Sequence, residues 1–183
     1  MKDLKSSTIE TLNLKEGELT LRPSKMKDVM PIYENMRIQD MRECYMCGVD
    51  PLKALMISFK DEEAYGFTIL KGDTPIAMCG VTPHIYEKNV GQIWLLGTKD
   101  IEKVQYSFYK HSRKVMRMML KSFDIVENYI PKFHRKSIDW IQWLGFELDN
   151  YTYFHNEYEF LRFFHCNVKE NSFYNDESRP TMH

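Results

Sequence analysis

The sequence predicts an α/β protein built on a mixed, twisted, mostly antiparallel sheet with helices on both faces. Three observations carry this. Short runs of alternating or continuously apolar residues recur along the 183-residue chain, as strands require. Turn residues at Gly72-Asp73 join two of these runs as an antiparallel hairpin. Amphipathic helical stretches separate others, so part of the sheet pairs in parallel.

The elements follow in order. Residues 1–17 are polar and read as an arm, 18–165 as one domain, and 166–183 as a polar, flexible tail. Glu18 to Pro23, "ELTLRP", alternates and forms a strand. Asp28 is placed to cap a helix starting at Val29, with Pro31 tolerated in the first turn. Asp50-Pro51 repeats that signal ahead of "LKALMISF". The hairpin "YGFTILKGDTPIAMCGVT" comes next, and then "GQIWLLG", apolar enough for a strand buried on both faces. Residues 101–122 read as a long helix. Val104, Phe108, Val115, Met119 and Phe123 lie near one stripe, and Lys110, Lys114, Arg117 and Lys121 on another. "FDIVENYI" is a strand. "HRKSIDWIQWL" is a helix closed by Gly145, with Trp140 and Leu144 facing the sheet. "FELDNYTYF" and "EFLRFF" make a closing antiparallel pair.

Composition narrows the function classes. A hydrophobic content of 43% with 28% charged residues is that of an ordinary globular domain. Net charge of −1 creates no bulk field toward nucleic acid or membrane. No apolar run approaches the ~20 residues of a membrane span. The opening "MKDLKSSTIETLNLKEG" lacks a secretory apolar stretch, so cytoplasmic synthesis is expected. Cys44, Cys47, Cys79 and Cys166 read as reduced thiols. Cys44-x-x-Cys47 has the spacing of half a zinc site or a redox pair, but no second ligand pair accompanies it, so buried thiols are preferred and no metal is expected. The basic row Lys110, Arg113, Lys114, Arg117 and Lys121 suits a phosphate backbone or, more simply, a solvated helix face. Core filling is the preferred use of the methionines, Met116 and Met119 among them. Aromatics crowd residues 151–164, and two-residue alternation lets only half face a core. Segment 147–165 is therefore expected to contact a second copy or a partner protein.

"LTLRPSKMKD" near the start and "SIDWIQWLGFEL" near the end resemble the GNAT N-acetyltransferase superfamily, whose opening strand carries "IRP" and whose late helix ends in "LGF". More narrowly, "LRPSK", "YGF…PIAMCG", "IWLLGT" and "VENYI…HRKSIDWIQWLGF" together resemble the internal virion protein A family of short-tailed phages. That resemblance spans about four fifths of the chain. It implies a GNAT-like fold and a role in phage virion assembly or the internal core. Such a protein acts through contacts with a phage core protein, is made in the host cytoplasm and can enter the virion. The alternative is an active acyl-CoA-dependent N-acetyltransferase of a phage or host protein.

The superfamily's chemistry gives the residues to examine. Its members hold the diphosphate of coenzyme A on backbone N–H groups of Q/R-x-x-G-x-G/A at a helix start. The equivalent "GTKDIEKVQYSF" has one glycine, Gly97, ahead of the loop, and puts Asp100 and Glu102 where the anion would sit. The resemblance places any acyl-CoA contacts on Trp94, Leu95, Leu96, Gly97, Thr98 and Lys99. The strand's exposed backbone would pair with the ligand, unless its bulky side chains fill the groove. A tyrosine about four residues before "GF" commonly protonates the leaving thiolate; here that position is Ile141, with Tyr129, Tyr151 and Tyr153 as substitutes. Glu87 and His84 are candidates to deprotonate an amine. The reading that results is a catalytically degenerate protein, with acetyl-CoA a ligand only under the alternative.

Overall fold

The Gly72-Asp73 turn joins strands Tyr65–Lys71 and Thr74–Pro83 as an antiparallel hairpin. In this computed structural model, which describes residues 12–14, 19–60, 64–104, 116, 119–120 and 123–167, that hairpin is the middle of the sheet. In chain order the strands are β1 (Leu12–Leu14), β2 (Leu19–Pro23), β3 (Tyr65–Lys71), β4 (Thr74–Pro83), β5 (Val90–Gly97), β6 (Ile125–Pro131), β7 (Glu147–His155) and β8 (Tyr158–Cys166). Among the described residues they form one sheet in the order β1-β2-β3-β4-β5-β6-β8-β7. Only β5 and β6, among the described residues, pair in parallel. The segment expected to be an arm thus contributes β1, which pairs with the free edge of β2. β8 runs through Cys166, the first residue assigned to the tail.

Alternation along the strands sends side chains to two apolar layers. From β4, Ala77, Cys79 and Val81 join one layer with Met116, Met119, Phe123, Ile138 and Ile141, while Met78 joins the other with Val29, Ile32, Met36, Cys44 and Leu55. Helices α1 (Val29–Glu34), α2 (Ile38–Met46) and α3 (Pro51–Met56) cover this second face. Helix α4 (Arg135–Trp143) and the helical residues Met116, Met119 and Leu120 cover the first. Trp140 and Leu144 pack against that layer, as expected. Cys44 and Cys79 are buried, their thiols pushed up to about 12 by burial, whereas Cys47 and Cys166 are exposed. Among the described residues no helix is long and apolar enough to cross a membrane, and no cluster of His, Cys, Asp and Glu could hold a metal.

Several sequence expectations change. Asp28 precedes α1 but does not cap it. Its carboxylate instead accepts from both terminal nitrogens of Arg22 (2.7 Å each), from Lys25 N–H (2.8 Å) and from Thr68 Oγ1 (2.8 Å). Burial pushes this carboxyl up, but those donors together hold it below its ordinary value. A charge this deeply buried persists only with such partners. The helix expected from Val29 is really two. Met36 bridges to Thr98, and Arg37 N–H donates to Gly97 O (2.9 Å), which draws the backbone out of the helix between α1 and α2. Asp50 does cap α3, accepting from Lys53 N–H (3.0 Å). Of the long helix expected over 101–122, the first residues belong instead to a 3-10 turn at Lys99–Val104, Met116, Met119 and Leu120 are helical, and the rest lies outside the described residues. Phe108, Val115 and the basic row Lys110, Arg113, Lys114, Arg117 and Lys121 lie outside the described residues.

Candidate active site

Strand β5 is not buried on both faces. Its centre, Gln92–Leu95, is half-exposed because β5 and β6 part company after three paired residues, Val90–Gln92 with Ile125–Glu127. The backbone hydrogen bonds show which groups face the opening. His84 N–H donates to Val90 O and Thr98 N–H to Ile76 O, so even-numbered residues of β5 point to β4. Odd-numbered ones point to β6. Gly91 lies in the paired part, Ile93 O accepts from Asn128 Nδ2 (2.5 Å), and Gly97 takes partners on α2. That leaves the Leu95 N–H and C=O facing the gap. Asn128 is the last rung. Its Oδ1 accepts from Tyr129 N–H (2.8 Å) while its Nδ2 reaches β5, so one side chain closes the narrow end.

The gap is part of a cavity of about 700 Å³. Helix α2 roofs it. At one end Asp40 accepts from Gly97 N–H (2.6 Å) and from Arg37 Nη2 (2.7 Å). At the other, Glu43 holds His134 Nδ1, and Met46 O accepts from Asn156 Nδ2 (3.3 Å) in the β7–β8 turn. Nine helical residues span about 13 Å, close to three strand spacings, which is the reach from β5 to β7. On the other face Met116, Met119, Trp140, Ile141 and Leu144 form the floor. Trp94 stands in the wall with its ring against Gly80. A Cβ on Gly80 would lie 2.1 Å from Tyr65 O and 3.0 Å from Trp94 Cζ2. The Trp94 Nε1–H is buried without a hydrogen-bond partner among the described residues.

The sequence candidates divide. Tyr129 borders the cavity, its ring edge-on to Tyr153 at 5.1 Å. Burial first, then Glu127, raises its phenol. Glu87 bears on that phenol electrostatically but sits exposed in the β4–β5 loop and does not line the cavity. His84 shares the loop, and its Nδ1 accepts from Tyr86 N–H (3.3 Å) and Glu87 N–H (3.2 Å). Trp94, Leu95 and Leu96 line the cavity rather than fill it; Gly97, Thr98 and Lys99 do not line it. Tyr153 also borders it, with its hydroxyl donating to Asp149 Oδ2 (2.6 Å), whereas Tyr151 is exposed. Ile141, where the superfamily keeps a tyrosine, is buried in the floor. Sequence reasoning missed Asp40, Glu43, Asn128 and His134. The Arg37-x-x-Asp40-x-x-Glu43 spacing, one helix face of charges, and the polar pair Glu127-Asn128 inside an apolar strand were the available signals.

Neither a family model nor a curated protein sequence matches the chain. Solved structures do. A protein of Desulfovibrio desulfuricans assigned to the GNAT acetyltransferase family superposes with a TM-score of 0.61 at 7% identity, covering 82% of this chain and 99% of its own. A ribosomal-protein-S5-alanine acetyltransferase from Vibrio fischeri gives 0.58 at 12%, covering 85% and 96%. A spermidine N-acetyltransferase variant from Vibrio cholerae gives 0.59 at 11%, covering 83% and 95%. The chain has the GNAT-like fold. The reading as a catalytically degenerate virion-assembly protein is corrected by these neighbours, which carry acetyltransferase names. The triplets that pointed to the GNAT superfamily serve the fold: "LRP" supplies the Arg22–Asp28 clamp, and "LGF" supplies Gly145, which ends α4 at φ 99°. Neither is specific to one family within it.

Coenzyme A is the donor the GNAT-like fold implies, and its two ends fare differently. To an amide-bearing pantetheine arm the gap offers the Leu95 backbone donor and acceptor. The diphosphate does not fit the β5 end, where Gly97 N–H is held by Asp40 and Asp100 stands in the first turn.

Proposed function

We propose that this chain is an acyl-CoA-dependent N-acetyltransferase. The observation carrying this is the Leu95 N–H and C=O facing a roofed gap in the sheet. An acyl thioester supplies an acyl carbon that an amine can attack, with release of the thiol. Leu95 holds an amide-bearing arm as though it were an added strand, and Asn128 sets how deep such an arm can go. Tyr129 keeps its proton at neutral pH, because burial and Glu127 raise the phenol, and it can pass that proton to a leaving thiolate. Glu43, steadied by His134, lines the cavity and can take a proton from the amine. Asp40 stands in the same wall, its charge paired with Arg37.

The test is thiol release from acetyl-CoA with a panel of amines, including polyamines and peptide N-termini. Turnover with at least one amine is expected. Tyr129→Phe and Glu43→Gln should each lower kcat by about 100-fold while donor binding persists. Leu95→Pro, which removes an N–H absent from the β4 ladder, should weaken donor binding in a chain that still melts cooperatively. No thiol release with any amine would sink the proposal.

A further inference from the structure

Five consecutive backbone N–H groups at the end of β5 already have acceptors within the chain. Gly97 donates to Asp40 Oδ2 (2.6 Å), Thr98 to Ile76 O (2.8 Å) and Lys99 to Asn35 O (3.4 Å). Asp100 donates to Thr98 Oγ1 (3.3 Å) and Ile101 to Thr98 O (3.2 Å). A diphosphate bound here would need these same donors free and converging. Three of the five acceptors belong to other parts of the fold, namely α2, β4 and the residue after α1, so freeing them means undoing tertiary contacts. Asp100 and Glu102 add negative charge to the first turn, and Lys103 is occupied by Asp100 at 2.6 Å. Further into the sheet the situation reverses. The Leu95 backbone faces the gap, and the walls are largely apolar.

We infer that the site recognises its donor through the acyl-pantetheine arm alone and makes no use of the nucleotide diphosphate. The substrate class is an acyl thioester of pantetheine, whether free, part of coenzyme A, or carried as a phosphopantetheine arm on a carrier protein. This rests on the N-acyltransferase reading, and it fixes which part of the donor that reading depends on.

A ligand series on the full chain tests it without any variant. Calorimetric titrations compare pantetheine, coenzyme A, and a carrier protein with and without its phosphopantetheine arm. The expected result is pantetheine and coenzyme A binding within about threefold of each other. Coenzyme A binding more than about thirtyfold tighter than pantetheine would overturn the inference, as would the absence of binding by both. The carrier arms identify the source. Armed carrier binding tighter than pantetheine, with bare carrier silent, assigns a protein-borne donor; no gain over pantetheine assigns a small thioester. Both results uphold recognition through the arm. Turnover is scored separately, with S-acetylpantetheine and acetyl-CoA as donors. Binding in the expected ratio with no transfer to any amine sinks the acyltransferase reading and leaves the recognition inference standing.

Discussion

Asp40 joins the roof of the cavity to the end of β5 through a carboxylate that is almost fully enclosed. Burial lifts its carboxyl to about 6, against the pull of Arg37 and the Gly97 N–H. Between about pH 4 and pH 6 the folded chain therefore keeps a proton that the unfolded chain has released. Stability contributed at this residue falls as pH rises through that window and is level above it. The difference amounts to about 3 kcal/mol. Asp40→Asn, which keeps an acceptor for Gly97, removes the effect. Denaturant titrations from pH 4 to pH 7 should show the parent losing stability relative to the variant as pH rises. Parallel profiles would mean that Asp40 ionises near its ordinary value. Asp28 works in the opposite sense. Its carboxyl is held below 3.8 in the folded chain, so its contribution is present above that value and disappears as acid protonates it.

At the level of elements, β3 and β4 approach as closely as they do at Gly80 because it has no side chain. Gly80→Ala would drive a methyl into the Tyr65 carbonyl and the Trp94 ring together. The expected loss is at least about 1–3 kcal/mol, read from chemical denaturation, and an unchanged midpoint would contradict the register of this hairpin. Strand β7 is the sheet edge, as the sequence suggested, but its pairing with β8 is broken between Leu148 and Thr152. Such an irregularity blunts an edge against strand addition. Its aromatic side chains are not blunted: Tyr151 is 72% exposed and Phe154 71%. We propose that a second copy covers them. Sedimentation at rising concentration should show a dimer that Tyr151→Glu with Phe154→Glu abolishes, both residues being exposed enough to change without unfolding. A monomer at every concentration would remove the proposal.

For the whole molecule, the cavity links ligand and stability. A compound that binds only the folded chain adds about 2.7 kcal/mol at a hundred times its dissociation constant, so pantetheine at that level should raise the melting temperature measurably. A flat thermal shift would mean that pantetheine does not bind the folded chain. The sheet was legible from sequence because alternation and turn residues are local signals; the hairpin at Gly72-Asp73 and the helix end at Gly145 needed nothing distant. The site was not. Its roof depends on Asp40 finding Gly97 and Glu43 finding His134, and its depth on Asn128 finding Ile93. Each is a contact between residues far apart in sequence, which no local period reports. The error lay in the longer stretches read as a virion protein; the "LRP" and "LGF" triplets pointed to the GNAT-like fold correctly. They encode a buried ion pair and a helix end that a shared fold requires, and so could not tell a virion protein from an acetyltransferase.

The cavity walls also make the protein its own optical probe. Of three tryptophans, Trp94 and Trp140 border the gap, while Trp143 points outward, 44% exposed. Indole emission moves to shorter wavelength when water leaves its surroundings. Trp143→Phe would silence the exterior signal and leave two emitters reporting on the interior. Filling the gap with any arm that displaces water should then shift the spectrum blue, and a spectrum indifferent to saturating pantetheine would mean that the arm never reaches these rings. Occupancy of the site can in this way be followed by light alone, with no label and before any acceptor amine is known.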